Sequence, residues 1–323
     1  MSADPLLIVN DLSVHFRIGG NFIEGATIVR AVEKITFSLQ KGETLSIVGE
    51  SGSGKSTLAR AILRLVSTTA GSITFQGQDM VGLSDNGLRN ARRHIQMVFQ
   101  DPVASLSPRM TVEQIIEEPL RVHFPSLSRA ERLKRVEATM DAIGLLPNMR
   151  NRYPHEFSGG QAQRIGIARA LIVEPELIVA DEPVSALDVS IQAQVLNLLF
   201  DIKNDRSLSL LFISHDLSVV KHVSDRVLVM YLGHIMELGA ADDIYQRPQH
   251  PYTKALLSAV PKIDFSGDER QRTALVGDIP SATTKLKGCP FASRCPIAQT
   301  RCFEEKPIVR SEAGRSVACH YPG

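Results

Sequence analysis

The segment formed by residues 49–56 constrains the fold of this chain more than any other feature of its sequence. It reads GESGSGKS and matches the phosphate-loop pattern G-x-x-x-x-G-K-[ST]. Residues 44–48 before it are apolar and β-branched, as in a buried strand, and residues 56–66 after it carry apolar side chains at helical spacing. A strand that enters a glycine-rich loop and leaves as a helix predicts an α/β fold with an anion site. A glycine-rich turn that binds no ligand seldom has this context.

The residues of this loop predict distinct chemical roles. Glycines let backbone N–H groups turn toward a phosphate, and the helix N-terminus adds a favourable partial charge. Lys55 is expected to contact the β- and γ-phosphates, and the Ser56 hydroxyl to bind Mg²⁺. The predicted nucleotide-binding set is Gly49, Glu50, Ser51, Gly52, Ser53, Gly54, Lys55, Ser56 and Thr57.

An acidic pair, Asp181 and Glu182, follows the apolar run 177–180. Carboxylates at the carboxyl end of a buried strand face the ligand crevice of an open α/β sheet. Asp181 is therefore expected to hold Mg²⁺ and Glu182 to polarise an attacking water. A plain surface turn before Pro183 is the alternative, and the phosphate loop elsewhere in the chain makes it the weaker one.

Predicted strands and helices alternate before Gln246. Strands are predicted at residues 7–16, 32–39, 44–48, 72–75, 95–99, 177–180 and 208–213, with a hairpin of 226–231 and 234–238. Helices are predicted at 56–66, within 111–143, at 161–173 and at 192–202. This order predicts parallel strands with right-handed crossovers. After Gln246 prolines, glycines and short apolar stretches predict an accessory C-terminal region.

The charge balance excludes some classes of partner. The 36 Lys and Arg residues nearly match the 35 Asp and Glu residues, so nothing drives nonspecific binding to nucleic acid or anionic membrane. No apolar run reaches the roughly 18 to 20 residues of a membrane span, and the N-terminus lacks the pattern of a secretory signal. These features predict a cytoplasmic location.

Four further segments make the chain resemble the ABC ATPase family. Residues 157–161 read FSGGQ, close to the family's LSGGQ signature. Gln100 in QMVFQDP matches the Q-loop, SALD at 185–188 matches the D-loop, and His215 after an apolar strand matches the switch histidine. A lone histidine after a strand is usually structural, but its place one strand beyond the acidic pair favours function. The resemblance covers about residues 6–245.

This resemblance implies a fold, a dimer and further site residues. The fold is α/β: a RecA-like P-loop core with an antiparallel β subdomain and an α-helical subdomain at about 101–165, together spanning 1–245. Two such cassettes are expected to sandwich ATP, because the signature of one subunit closes over the nucleotide of the other. The implied contacts are Gln100, Glu182 and His215 in catalysis, Ser56, Gln100 and Asp181 at Mg²⁺, and Ser158, Gly159, Gly160, Gln161 and Asp188 at ATP.

Phe16 is the candidate for the aromatic residue that stacks on adenine. A core phenylalanine on an early strand is nearly as good an interpretation. The spacer of residues 17–29 before the next strand is longer than in many members of the family.

Three stretches are similar to the ATPases of dipeptide and oligopeptide importers, and most of all to the second, F-type, subunit of the pair. These are the segment after Gln100, the segment 183–198, and RPQHPYTKALLSAVP from Arg247. The resemblance implies two membrane permease subunits, a paralogous or identical ATPase and, indirectly, an extracytoplasmic binding protein. Residues 105–118 are expected to receive a short permease helix, although an ordinary solvated helical insert would look the same.

All four cysteines lie in the last part of the chain: Cys289, Cys295, Cys302 and Cys319. Their spacing, C-x5-C-x6-C-x16-C, is compatible with a [4Fe–4S] cluster or tetrahedral Zn²⁺ and does not choose between them. Scattered free thiols are the weaker alternative. The flanking residues resemble the C-terminal motif of peptide-importer ATPases, within residues 246–323, which in some members carries a cluster. That resemblance favours [4Fe–4S] in a structural role.

Three other functions compete with peptide import. Related systems import nickel chelates or glutathione-like peptides. A soluble ABC ATPase acting on nucleic acid or ribosomes usually has two cassettes or basic insertions, which this chain lacks. A regulatory subunit without turnover conflicts with the presence of Glu182 and His215.

Overall fold

Strands and α-helices alternate along most of the chain. The computed structural model describes residues 4–19, 27–259, 277, 280–284, 286–312 and 314–323. The strands are β1 (Leu7–Ile18), β2 (Thr27–Leu39), β3 (Thr44–Val48), β4 (Ala70–Phe75), β5 (Gln78–Asp79), β6 (Ile95–Val98), β7 (Leu177–Asp181), β8 (Ser209–Ile213), β9 (Arg226–Tyr231), β10 (His234–Ala240), β11 (Arg310–Glu312) and β12 (Arg315–Val317). The helices are α1 (Lys55–Ile62), α2 (Asp85–His94), α3 (Pro102–Ser105), α4 (Val112–His123), α5 (Arg129–Ala142), α6 (Gly159–Leu171), α7 (Val189–Asp205), α8 (Leu217–Val223), α9 (Ala241–Gln246), α10 (Pro251–Ser258) and α11 (Thr300–Glu304).

The chain divides into two compact units. Unit 1 comprises Met1–Leu7, Leu39–Glu43 and Thr74–Ile213, and unit 2 comprises Ile8–Ser38, Thr44–Ile73 and Ser214–Gly323. Each unit draws on distant parts of the sequence, because the chain passes between them several times.

Unit 1 is built on three parallel strands in the order β6-β7-β8. Every residue of β7 and β8 is buried, which explains why their sequences are continuous apolar runs rather than alternating ones. In register, Ala180 pairs with Val98 on one side and with Phe212 on the other. The residues that follow β6 and β7 therefore emerge at the same edge of this sheet.

Helices α4, α5 and α6 of unit 1 each begin with a capping box. The pairs are Thr111 with Gln114, Ser128 with Glu131, and Ser158 with Gln161. In each pair the hydroxyl accepts the N3 backbone N–H while the longer side chain accepts the N-cap N–H. Helix α2, which the spacing of apolar residues does not predict, begins after the N-cap Ser84 and buries only Leu88 and Ala91.

Unit 2 contains a sheet in the order β3-β9-β10-β12-β11, with β3 parallel to β9 and the other pairs antiparallel. The predicted hairpin of β9 and β10 is confirmed. Its two-residue turn consists of Leu232, with φ 45°, and Gly233, with φ 77°. Both values are left-handed, as a type I′ hairpin turn requires. Strands β2, β1 and β4 follow one another in a second sheet.

The C-terminal strands of unit 2 are fixed to β10 by a buried carboxylate. Glu237 is fully buried and accepts hydrogen bonds from the Arg315 guanidinium and from the backbone N–H groups of Gln249 and His250, both at 3.0 Å. Removing one partner of a buried ion pair of this kind lowers the free energy of unfolding by about 3 to 5 kcal/mol. Among the described helices, none has the length and apolar character that crossing a bilayer requires.

Candidate functional site

The phosphate loop of unit 2 joins β3 to α1 and depends on two glycines. Gly49 has φ 152° and Gly54 has φ 99°, backbone values that residues with a side chain rarely adopt. A Cβ atom at Gly49 would lie 2.2 Å from the carbonyl oxygen of Met230, and one at Gly54 would lie 2.1 Å from that of Ala31. Any larger residue at either position would have to displace backbone, so the loop shape is specified by these glycines.

Lys55 is the first residue of α1, and its ammonium lies inside the loop. The side chain is 4% exposed, and Nζ donates to the carbonyl oxygens of Gly49 at 2.8 Å and Glu50 at 3.0 Å. The Ser53 hydroxyl lies 3.4 Å from the same atom. The loop therefore curls around a positive charge at a helix N-terminus, an arrangement that can receive a phosphate.

The remaining residues of the loop differ in exposure. Ser51 and Gly52 are exposed at its tip, Ser53 is buried, and Ser56 and Thr57 are half-buried in the first turn of α1. The side chain of Glu50 is held by Arg294, whose two terminal nitrogens donate to its two carboxylate oxygens at 2.7 and 3.1 Å.

In unit 1 the acidic pair lies at the end of β7 as the sequence predicts. Asp181 is 1% exposed and is the last residue of the strand. Glu182 follows with φ 46°, a left-handed conformation that is strained for a residue with a side chain. Its N–H donates to Ile213 at 3.0 Å, and its carbonyl oxygen accepts the Ser185 hydroxyl at 3.1 Å.

Gln100 lies beside Glu182. It follows β6, and its Nε2 donates to Glu182 Oε2 at 3.1 Å. The amide thus orients the carboxylate that the sequence assigns to the attacking water. The structure brings these two predicted residues together.

The signature segment opens α6 in unit 1. Ser158 is the N-cap, and its backbone N–H donates to Gln161 Oε1 at 3.1 Å. Ser158 and Gly159 are exposed, whereas Gly160 is buried with its missing Cβ 2.3 Å from Ile191 Cγ2. These residues therefore form a conventional helix cap with an open face.

Three further predicted residues lie on the surface. Asp188 is exposed at the N-cap of α7, and His215 is exposed after β8. Phe16 is 37% exposed near the end of β1, so the alternative of a core phenylalanine is wrong.

The cysteines of unit 2 require a correction. Cys289, Cys295, Cys302 and Cys319 line one cavity of about 10 Å³, room for about one water molecule. In the part of the chain that the structure describes, no group of three or more His, Cys, Asp or Glu side chains is arranged to hold a metal ion. The predicted [4Fe–4S] cluster, and the zinc alternative, are therefore wrong.

The physical reason is burial among apolar groups. Phe291 and Ile297 share this cavity with the cysteines. Desolvation raises the pKa of the Cys289 thiol to about 12 and also raises the pKa values of Cys295 and Cys319. Metal ligation needs thiolates, and burial of Cys289, Cys295 and Cys319 favours the protonated thiol instead.

Sequence reasoning missed two residues that contact the phosphate loop. Tyr252 on α10 accepts the N–H of Glu50 on its hydroxyl at 2.9 Å, and Arg294 binds the Glu50 carboxylate. Both lie more than 200 residues after Glu50, a separation at which a single sequence carries no pairing signal. The motif HPYT and the arginine between two cysteines were the available hints.

Comparison with known proteins agrees with this geometry. Residues 32–185 match the ABC transporter family, and residues 236–302 match the C-terminal region of oligopeptide and dipeptide transporters. The oligopeptide transport ATP-binding protein OppF of Salmonella typhimurium is 54% identical over 318 residues, which cover 97% of this chain and 95% of that protein. The chain belongs to the ATP-binding subunits of the oligopeptide and dipeptide ABC transporter family.

Other ABC ATP-binding proteins extend this result. The oligopeptide transport ATP-binding protein AppF of Bacillus subtilis is 53% identical over 321 residues, covering 98% of this chain and 97% of that one. A dimeric ATP-binding cassette, solved in a post-hydrolysis state with ADP and phosphate, has a TM-score of 0.65 at 29% identity. The structural match covers 73% of this chain and 98% of the solved cassette. The predicted ABC ATPase fold is confirmed.

Proposed function

We propose that this ABC ATPase hydrolyses ATP to drive the uptake of peptides through membrane permease partners. The observation that carries the proposal is the phosphate loop with its buried ammonium, in a chain that matches oligopeptide transport proteins over nearly its whole length. A triphosphate replaces loop carbonyl groups as the partner of Lys55, with backbone amides of the loop and the α1 N-terminus at its other oxygens.

The catalytic group in this proposal is Glu182. Its carboxylate accepts a proton from a water while that water attacks the γ-phosphorus, and the bond to the β-phosphate oxygen breaks to leave ADP and phosphate. Gln100 orients Glu182 through its Nε2 hydrogen bond. His215 is proposed to contact the γ-phosphate, and Phe16 offers an exposed ring for adenine.

Magnesium is the metal proposed to accompany ATP. The proposed donors are the Ser56 hydroxyl, the Gln100 side-chain oxygen and the Asp181 carboxylate, a set of hard oxygen ligands that suits this ion. When bound, Mg²⁺ neutralises part of the triphosphate charge.

The proposed assembly is a pair of cassettes with two permease subunits at the cytoplasmic face of the membrane. The open signature segment, Ser158 to Gln161, supports a role toward the nucleotide of a second cassette, because its own helix cap is already complete. A paralogous partner is proposed from the F-type resemblance, with a homodimer as the other outcome. An extracytoplasmic peptide-binding protein delivers the cargo.

A surface of unit 1 suits the permease contact. Within residues 105–118 the exposed side chains are Ser107, Pro108, Arg109, Gln114 and Glu118. The apolar Val103 on α3 and Val122 on α4, on either side of this range, are 58% and 48% exposed. The Arg169 guanidinium fixes the end of α3 by donating to the Ser105 carbonyl at 2.7 Å. We propose that residues 105–118 contribute to the groove for a permease helix.

The proposed functional regions of the chain are two: residues 1–245, the ATP-binding cassette, and residues 246–323, the C-terminal region.

A binding and transport measurement tests this function. Lys55→Ala is expected to weaken ATP binding to the purified subunit at least about tenfold, because charge-assisted hydrogen bonds are lost. Lys41→Ala, on an exposed lysine, is the control. Proteoliposomes that contain this ATPase together with its co-expressed permease subunits are then expected to take up peptide only when ATP is supplied. A wild-type chain that binds no ATP, or uptake that ignores ATP, would refute the proposal.

A further inference from the structure

The phosphate loop is tied to the C-terminal part of the chain by an ion pair. Arg294 Nη1 donates to Glu50 Oε2 at 2.7 Å and Nη2 donates to Glu50 Oε1 at 3.1 Å, a two-pronged arrangement with planar groups facing each other. Arg294 ends the 3-10 turn Ala292–Arg294. Both residues belong to unit 2, and 244 positions separate them in the sequence.

The surroundings of Arg294 fix its direction. Its side chain is 5% exposed, and Nη1 also lies 3.3 Å from the Tyr231 hydroxyl. The Tyr231 ring packs against Tyr252 and Phe291, with centroids 4.7 and 5.4 Å away. The hydrogen bonds to Glu50 raise the pKa of Arg294 above its ordinary range. The guanidinium is therefore a permanent charge held in one place.

Every polar group of Glu50 has a partner. Its N–H donates to the Tyr252 hydroxyl at 2.9 Å, and its carbonyl oxygen accepts from Lys55 Nζ at 3.0 Å and from the Ser53 N–H at 3.2 Å. Its carboxylate accepts from Arg294. Two of these partners, Tyr252 and Arg294, come from the C-terminal part of the chain, so that part fixes the loop backbone as well as the carboxylate.

A carboxylate in this position is electrostatically unfavourable for the function of the loop. The triphosphate carries several negative charges, and an unneutralised Glu50 would repel it. The Arg294 fork cancels that charge where it arises and turns the carboxylate toward the guanidinium.

We propose that Arg294 is a positioning residue of the ATP site, and that the C-terminal region sets the ATP affinity of the loop by neutralising and orienting Glu50. The inference rests on the proposed binding of ATP at the loop. A purely structural ion pair is the competing interpretation, and the two differ in the sign of their effects. Loss of either partner of a structural pair harms folding and binding alike, whereas in our proposal the two partners act in opposite directions on ATP.

The test measures the dissociation constant of a fluorescent ATP analogue and the thermal unfolding temperature for four variants. Arg294→Gln is expected to weaken binding about tenfold, and less at high salt, because the exposed anion is screened. Glu50→Gln is expected to tighten binding about threefold although it lowers the unfolding temperature. The double variant is expected to recover at least about fivefold of the affinity lost in Arg294→Gln. Arg294→Lys keeps the charge without the fork and is expected to lose less than Arg294→Gln.

Arg301→Gln is the matched control, since Arg301 forms an exposed ion pair with Glu305 in the same C-terminal part of the chain. It is expected to bind ATP as the wild type does. If Arg294→Gln and Glu50→Gln weakened ATP binding equally and the double variant showed no rescue, the inference would be overturned. Binding of ATP by the wild-type chain would still support the ATPase assignment. A wild-type chain that binds no ATP would overturn both.

Discussion

The phosphate loop and the signature segment both place a glycine-rich turn at a helix N-terminus, yet they are built differently. In the loop, Lys55 is buried and Glu50 is held by groups from distant parts of unit 2. In the signature segment, Ser158 and Gln161 cap α6 from within the helix itself, and Ser158 is exposed. The first is a site completed by its own fold. The second is complete only as a helix end, which suits a surface meant for another molecule.

The sharpest way to test this contrast is to stop hydrolysis and leave both binding elements intact. Glu182→Gln is expected to lower the ATP turnover of the assembled transporter at least about 100-fold, because the proton acceptor is lost. ATP binding by the isolated subunit is expected to persist, measured with the same fluorescent analogue.

Glu174→Gln is the control for this variant. Glu174 shares the left-handed backbone of Glu182, with φ 53°, but is exposed after α6. It is expected to turn over ATP at the wild-type rate. A Glu182→Gln transporter with unchanged turnover would remove this carboxylate from the mechanism.

Acid is expected to weaken the support of the phosphate loop. His250 is 1% exposed at the N-cap of α10, where Nδ1 accepts the N–H of Tyr252 at 3.0 Å. Burial lowers its pKa to about 4. Between pH 6.5 and that value the unfolded chain binds the proton more strongly than the folded one. The free energy of unfolding therefore falls as the pH falls, by between about 2 and 3 kcal/mol at pH 4.5.

Urea unfolding at pH 7.5 and pH 4.5 checks this prediction. His250→Asn keeps a capping acceptor and is expected to lose less stability on acidification than the wild type does. The exposed His222→Asn should show the full wild-type loss. Equal acid sensitivity in all three chains would contradict the assignment to His250.

The smallest effect concerns the signature cap. Ser158→Ala is expected to reduce ATP turnover of the assembled transporter about tenfold and to cost about 1 kcal/mol of stability. Ser128→Ala removes the same kind of cap from α5 and is expected to cost similar stability without affecting turnover. If both variants lowered turnover alike, the signature serine would be a helix cap and nothing more.

Short-range features of this chain could be predicted from its sequence. The loop between β3 and α1 and the hairpin turn at Leu232 and Gly233 are each determined by consecutive residues whose backbone preferences agree. Helix α2 was missed because only Leu88 and Ala91 face the core, so its apolar period is faint. Its N-cap, Ser84, was the signal that remained.

Long-range features could not be predicted in the same way. Cysteine spacing does not specify how small and apolar the cavity around the thiols is, or whether the side chains form a group that can hold a metal ion. Among the described residues they form no such group. The contacts of Arg294 and Tyr252 with Glu50 depend on how the chain returns to the loop after some 200 residues.

In the phosphate loop, the Lys55 ammonium donates hydrogen bonds to the carbonyl oxygens of Gly49 and Glu50. Because this ammonium belongs to the same chain, the loop loses its conformational freedom during folding rather than when nucleotide binds. In the proposed function, an incoming triphosphate would exchange one set of oxygen partners for another around a cation that is already in place. Affinity at this point is then a difference between two sets of hydrogen bonds, which makes it sensitive to small changes in the charges nearby.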